Sequence, residues 1–161
     1  MEIQMKRDEL IVSKTDLKGR ITYGNAYFIE ISGYSEKELL GAPHNILRHQ
    51  DMPKVIFKLL WDRIQNKRHI NAYVKNRTKD GNFYWVFANV TASLDDRGNI
   101  TGYYSVRRAP SQRGVDAMQR LYSTLLQAEA SGGVAASLKL LEERLTKEGQ
   151  SYDEFLINLQ K

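Results

Sequence analysis

The segment Pro43-His44-Asn45-Ile46-Leu47-Arg48-His49-Gln50-Asp51-Met52-Pro53 gathers a guanidinium, two imidazoles and a carboxylate in one irregular, polar stretch. Arg48 suits a phosphate, because a planar guanidinium makes paired hydrogen bonds to phosphate oxygens. Asp51, three residues on, is placed to hold Arg48 or His49 rather than to touch a ligand. The plain alternative is a local loop ion pair, which is worth little. Downstream, Phe57 and Trp61 lie four apart; on one helical face they offer either an aromatic wall or ordinary core. Asn76 carries both a donor and an acceptor. Asn25 opens a helix, where asparagine ordinarily serves as the N-cap.

Motifs of the common catalytic kinds do not occur. There is no G-x-S-x-G, no H-E-x-x-H and no phosphate-cradling G-x-x-x-x-G-K-[ST], so the chain does not read as an enzyme. Its histidines are His44, His49 and His69; with no cysteine and no histidine pair at i, i+4, no metal centre is expected. The missing cysteine also excludes a disulfide framework, a cysteine nucleophile and photochemistry that attaches a cofactor to a thiol.

At 161 residues, 42% of them hydrophobic, the chain fits one domain plus an appendage. Charges near Met1 occupy the place of a signal-peptide core, and no apolar run approaches the roughly 18 residues of a membrane span. The expectation is a cytoplasmic protein without direct membrane insertion. Of the net charge of +5, residues 1–112 supply 18 basic and 12 acidic side chains, and residues 113–161 supply 6 and 7. The basic residues are scattered, with no block longer than a pair such as Arg107-Arg108, so nucleic acid is not an expected partner.

The elements that must position these side chains are legible in the pattern. Residues 9–15 and 20–23 read as strands joined by the turn Asp16-Leu17-Lys18-Gly19. Tyr27, Phe28 and Ile31 recur at helical spacing before Gly33, and Ser35 with Glu38 is a capping box for a short helix ending near Gly41. Lys54 to about Asn66 reads as a strongly apolar helix. Strands follow over 69–78, 83–94 and 100–108, joined by turns rich in Asp, Asn and Gly. This order predicts an α+β fold: a five-stranded antiparallel sheet with short helices on one face, and a pocket between sheet and helical roof.

Beyond Pro110 the character changes, which divides the chain into a domain over 1–110 and a helical extension over 111–161. Val115 to Leu126 make one amphipathic stripe, Gly132-Gly133 breaks it, and Val134 to Leu145 make a second. Ser151 and Glu154 then cap a third helix. These helices either pack back on their own sheet or on each other, or form a partner or dimer surface. Tyr73, Ser105 and Arg107 are expected to be exposed strand positions belonging to the same surface.

The element order, with Gly33-Tyr34-Ser35 before Glu38-Leu39-Leu40-Gly41 and Lys75-Asn76-Arg77-Thr78-Lys79-Asp80-Gly81 before Tyr84-Trp85-Val86, resembles a PAS domain over about residues 9–109. The segment Pro43 to Pro53 resembles, more specifically, the FAD-binding PAS domains of aerotaxis receptors. That resemblance implies non-covalent FAD held by Asn25, Arg48, His49, Asp51, Phe57, Trp61 and Asn76. It further implies a redox or energy sensor for aerotaxis or energy taxis. Gln50 stands where the family more often has proline. No anchor or signalling module accompanies the match on this chain. The resemblance therefore points to the stand-alone PAS half of a split energy-taxis receptor, reaching a membrane only through a membrane-bound chemoreceptor-type signalling partner. Two other readings stay open: a cofactor-free PAS interaction module, and a haem-binding PAS oxygen sensor with His44 or His49 as axial ligand.

Overall fold

The computed structural model describes residues 1–161. Strands β1 (Ile11–Thr15) and β2 (Ile21–Gly24) form the first hairpin, closed by Asp16, whose Oδ1 accepts the N–H groups of Lys18 and Arg20, both at 2.9 Å. Helix α1 (Ala26–Ser32) starts at the N-cap Asn25 and ends at Gly33. Helix α2 (Glu36–Leu39) carries the Ser35–Glu38 capping box and stops two residues before Gly41. A 3-10 turn at His44–Leu47 occupies part of the expected irregular stretch, and helix α3 spans Lys54–Gln65. Strands β3 (Ile70–Arg77), β4 (Phe83–Leu94) and β5 (Ile100–Arg108) complete the sheet. Its order is β2-β1-β5-β4-β3, antiparallel throughout, so the expected α+β architecture is observed.

Strand alternation sorts the side chains to two faces. Opposite pairs such as Ser13–Ser105, Ala88–Arg107 and Asn76–Tyr84 share the face beneath the short helices, whereas Tyr73–Phe87 and Lys75–Trp85 share the other. Two apolar clusters result. One, around Ile11, Phe28, Leu47 and Val86, seats α1 and α2; the other joins α3, Tyr73 and Trp85 to the C-terminal helices.

The C-terminal helices pack back on the chain's own sheet. Helix α4 (Gln112–Glu148) bends at Gly133, whose φ of 73° is left-handed and breaks the regular helix as the glycine pair predicts. Gly149 then ends it, and α5 (Tyr152–Gln160) starts from the Ser151–Glu154 capping box. The free edge of β3 is covered by this extension. Tyr122 Oη donates to the Tyr73 carbonyl at 2.6 Å, and Tyr152 Oη donates to the Asn71 carbonyl at 2.8 Å. An edge that would otherwise offer unpaired carbonyls is thereby closed. Tyr73 and Arg107 are consequently not exposed strand positions: they are 0% and 2% accessible. Tyr73 lies under α4 and α5, with its hydroxyl donating to Gln160 Oε1 at 3.0 Å, while Arg107 points with Ser105 to the helical side. No helix is long and apolar enough to cross a membrane.

Candidate functional site

A cavity of about 230 Å³ lies between the sheet and the roof built from the 3-10 turn and α3. It falls below the usual span of small-molecule pockets, roughly 300–1,000 Å³, so a dinucleotide would also have to occupy its mouth. The roof is set by backbone bonds. His44 N–H donates to the Gly19 carbonyl at 2.9 Å, Ile21 N–H to the Ala42 carbonyl at 2.8 Å, and Arg48 bridges Asn76. Helix α3 presents Phe57, Leu60, Trp61 and Ile64 to the cavity, and the sheet presents Val74, Asn76, Ala88 and Val90.

Four of the seven residues singled out from the sequence line this space: Arg48, Phe57, Trp61 and Asn76. The Arg48 guanidinium lies over the Phe57 ring, 3.7 Å from its centroid, a cation–π contact that holds the exposed arginine against the cavity wall. Trp61 meets Tyr103 edge to face at 5.3 Å, which fixes the indole as a wall. Asn76 is buried.

Three lie elsewhere. Asn25 is engaged by backbone: its Oδ1 accepts from Phe28 N–H and Val12 N–H at 3.1 Å each, and its Nδ2 donates to the Leu10 carbonyl at 2.9 Å. It ties α1 to β1. His49 packs edge-on against Phe83 at 5.9 Å, and its Nδ1 accepts the Asp51 N–H at 3.0 Å. Asp51 does not pair with Arg48; its carboxylate pairs with Lys75 at 2.7 Å and lies 3.7 Å from His49, the other partner the sequence offers. Lys75 keeps the Asp51 carboxyl below its usual range, and partial burial holds the His49 imidazole down.

The cavity also holds residues that the sequence does not assign to a flavin site: Ser13, Arg107, which it places on an exposed surface, and His44, which it offers only as a haem ligand. Arg107 donates to Ser13 Oγ, and its Nη1 is 3.4 Å from His44 Nε2, which in turn lies 3.1 Å from Ser13 Oγ. The His44 ring stacks on Phe28 at 6.0 Å, and the Arg107 guanidinium sits 4.9 Å from the same Phe28 ring. Burial and the adjacent Arg107 charge hold the His44 imidazole down to about 3, and burial lowers Arg107 to about 10. His44 keeps some accessibility through the cavity itself, so it sits below the protein surface without being sealed in core. Lys18 joins Arg48 and Arg107 among the lining residues, and no carboxylate is among them. The signal available beforehand was the alternation of β5, which puts Arg107 on the same face as Ser105 and Tyr103.

This geometry bears on the alternatives. An interaction module whose pocket is filled by its own side chains would leave no cavity. A haem ligand needs a free imidazole nitrogen facing the pocket; His49 lies outside it, and His44 Nε2 is shared with Ser13 and Arg107. A flavin asks for aromatic and aliphatic walls, an amide at the ring edge and cations for phosphate, and these residues are present.

Comparison with known proteins agrees with the fold. The family described as PAS fold matches residues 21–107. The chain is 40% identical over 118 residues to the aerotaxis receptor of Escherichia coli, a match covering 73% of this chain and 23% of that protein. It is 25% identical over 153 residues to the nitrogen fixation regulatory protein of Klebsiella pneumoniae, covering 94% of this chain and 31% of that one. The chain thus spans less than a third of these relatives. Among solved structures, a light-oxygen-voltage domain described with a flavin analogue superposes with a TM-score of 0.60 at 20% identity, covering 71% of this chain and 86% of that one. A PAS domain from Colwellia psychrerythraea superposes with a TM-score of 0.59 at 21% identity, covering 65% and 88%.

Proposed function

We propose that this chain, which belongs to the PAS-fold family and is related to the aerotaxis receptor, is a non-enzymatic redox sensor that holds FAD non-covalently in the cavity beneath α3. The observation that carries this reading is the lining of the cavity, with Phe57 and Trp61 on α3, Asn76 on the sheet and the exposed Arg48 beside them. The flavin supplies reversible electron uptake when bound. Phe57 and Trp61 enclose the ring, Asn76 serves its hydrogen-bonding edge, and Arg48 pairs with the pyrophosphate.

Only a group that interacts differently with the two redox states can shift a conformational equilibrium. Helix α3 is the element placed to pass such a shift on. It walls the cavity, and it is tied at its N-terminus to α4 through Glu129 and near its C-terminus to α5 through the Arg63–Asp153 ion pair at 2.8 Å. The output is a changed docking surface on the extension, presented to a membrane-bound chemoreceptor-type partner or to a second copy of the chain.

The test is an absorption spectrum of freshly purified protein before and after dithionite, followed by heat release and chromatography of the chromophore. Flavin bands that bleach on reduction, with FAD released, are expected. A colourless protein that cannot be reconstituted with FAD overturns the reading in favour of an interaction module, and a Soret band overturns it in favour of haem.

A further inference from the structure

Arg107 is the one fully buried guanidinium whose charge has no carboxylate partner. It is 2% accessible, forms no ion pair, and its Nε has no hydrogen-bond partner. Its neighbours are neutral: Ser13, the Phe28 ring and His44, whose pKa near 3 keeps it uncharged at physiological pH. An unpaired buried cation costs several kcal/mol, so proteins pair such groups or use them. Arg107 lines the cavity, whose charged lining residues, Lys18, Arg48 and Arg107, are all basic.

These cations sit at two levels. Lys18 belongs to the β1–β2 turn and is well exposed, as is Arg48, so both suit a phosphate at the mouth. Arg107 is anchored in β5 at the cavity floor and suits an anionic or strongly accepting edge of whatever ring enters. We propose that Arg107 is the state-selecting residue of this site: it holds its charge against the ring's acceptor edge and favours the more negative, reduced form of the bound ligand. This deepens the flavin reading and rests on it. A fixed positive charge in a low-dielectric pocket stabilises added negative charge without reorganising. The reduced flavin then binds more tightly than the oxidised one, and its potential rises by the same free energy. Ser13 and His44 position the guanidinium.

The test compares the midpoint potential of FAD bound to wild-type protein with that of free FAD, using dithionite as reductant, and repeats it with Arg107→Gln and Arg107→Lys. Expected are a wild-type potential above that of free FAD, a shift to more negative values in Arg107→Gln with flavin still bound, and substantial recovery in Arg107→Lys. A wild-type potential at or below that of free FAD overturns the assignment, as does a folded Arg107→Gln with the wild-type potential. Should Arg107→Gln fail to fold, the wild-type comparison decides alone. A wild-type protein that binds no FAD in either redox state overturns the flavin reading itself, and this inference with it; bound FAD whose potential is indifferent to Arg107 overturns only the inference.

Discussion

Both carboxylate oxygens of Glu129, in α4, accept backbone N–H groups from the first turn of α3: Oε2 from Val55 at 3.0 Å and Oε1 from Lys54 at 2.9 Å. Helix α3 follows Pro53 and has no side-chain cap of its own, so its N-terminal donors and positive dipole end are served from 74 residues away in sequence. Ser137, beyond the bend at Gly133, steadies the carboxylate at 2.9 Å. Glu129→Ala removes two acceptors at once and is expected to cost about 1–2 kcal/mol. Urea unfolding reads this as a lower midpoint at unchanged slope. Glu129→Gln, which keeps an acceptor but loses the charge, should fall between; wild-type midpoints in both would mean that water caps α3 equally well.

Gly114 sits where the first turn of α4 crosses Tyr73. A Cβ there would overlap the Tyr73 ring and hydroxyl. Alanine ordinarily stabilises a helix interior by about 1 kcal/mol over glycine. Here the sign reverses: overpacking against a buried aromatic costs about 1–3 kcal/mol, so Gly114→Ala should lower the melting temperature. A raised melting temperature would show that α4 rests on the sheet less closely than the structure has it.

The fold was legible because its signals are local. The Ser35–Glu38 and Ser151–Glu154 boxes, the Gly33 and Gly149 stops, and the alternation of β3 to β5 each depend on a few neighbouring residues. The cavity was half legible. Helical spacing puts Phe57 and Trp61 on one face but leaves wall or core open until the family resemblance singles them out, whereas Arg107, Ser13 and His44 converge from positions 94 and 63 residues apart, a meeting that no local pattern encodes. The same limit explains Asp51: three residues from Arg48 it reads as a loop partner, yet Lys75 from β3 takes it. Tyr73 and Arg107 looked exposed because the extension and the cavity, not the strands themselves, decide what covers each face.

The placement of Asn76 and Asp51 separates two phenotypes. Asn76 faces the cavity, so Asn76→Ser should weaken FAD binding about fivefold, equivalent to one net hydrogen bond of about 1 kcal/mol, while apo-protein stability changes little. Asp51 lies outside and partners the buried ammonium of Lys75. Asp51→Ala leaves that amine beside the Phe83 ring, 4.3 Å away, without a counter-charge. It should therefore lower apo-protein stability by about 1–2 kcal/mol, discounted for the half-exposed carboxylate. Equilibrium dialysis with FAD and urea titration of the apo-protein, run on both variants, check the two arms. An Asn76→Ser protein with unchanged FAD affinity would remove that amide from the ring-binding edge.

His44 gives the fold a pH dependence of defined sign. Burial and the neighbouring Arg107 lower its pKa from 6.5 to about 3, so the folded protein keeps it neutral where the unfolded chain protonates it. The unfolded state then binds more protons between about pH 6.5 and about pH 3, and stability falls as pH drops through that window, by at most about 1.4 kcal/mol per pH unit for one proton. Asp51, held down by Lys75, loses its contribution in the same direction but only near the bottom of the range. Over the upper part, from about pH 6.5 to about pH 5, the slope belongs to His44 together with His49, whose imidazole partial burial also holds down. In His44→Gln, whose amide can still meet Ser13, the slope across that upper part should flatten while stability at neutral pH stays close to wild type. Urea titrations of both proteins at several pH values measure it. Parallel slopes would show that the cavity admits enough water for His44 to protonate in place, in which case acid would place a second cation beside Arg107 without unfolding the chain.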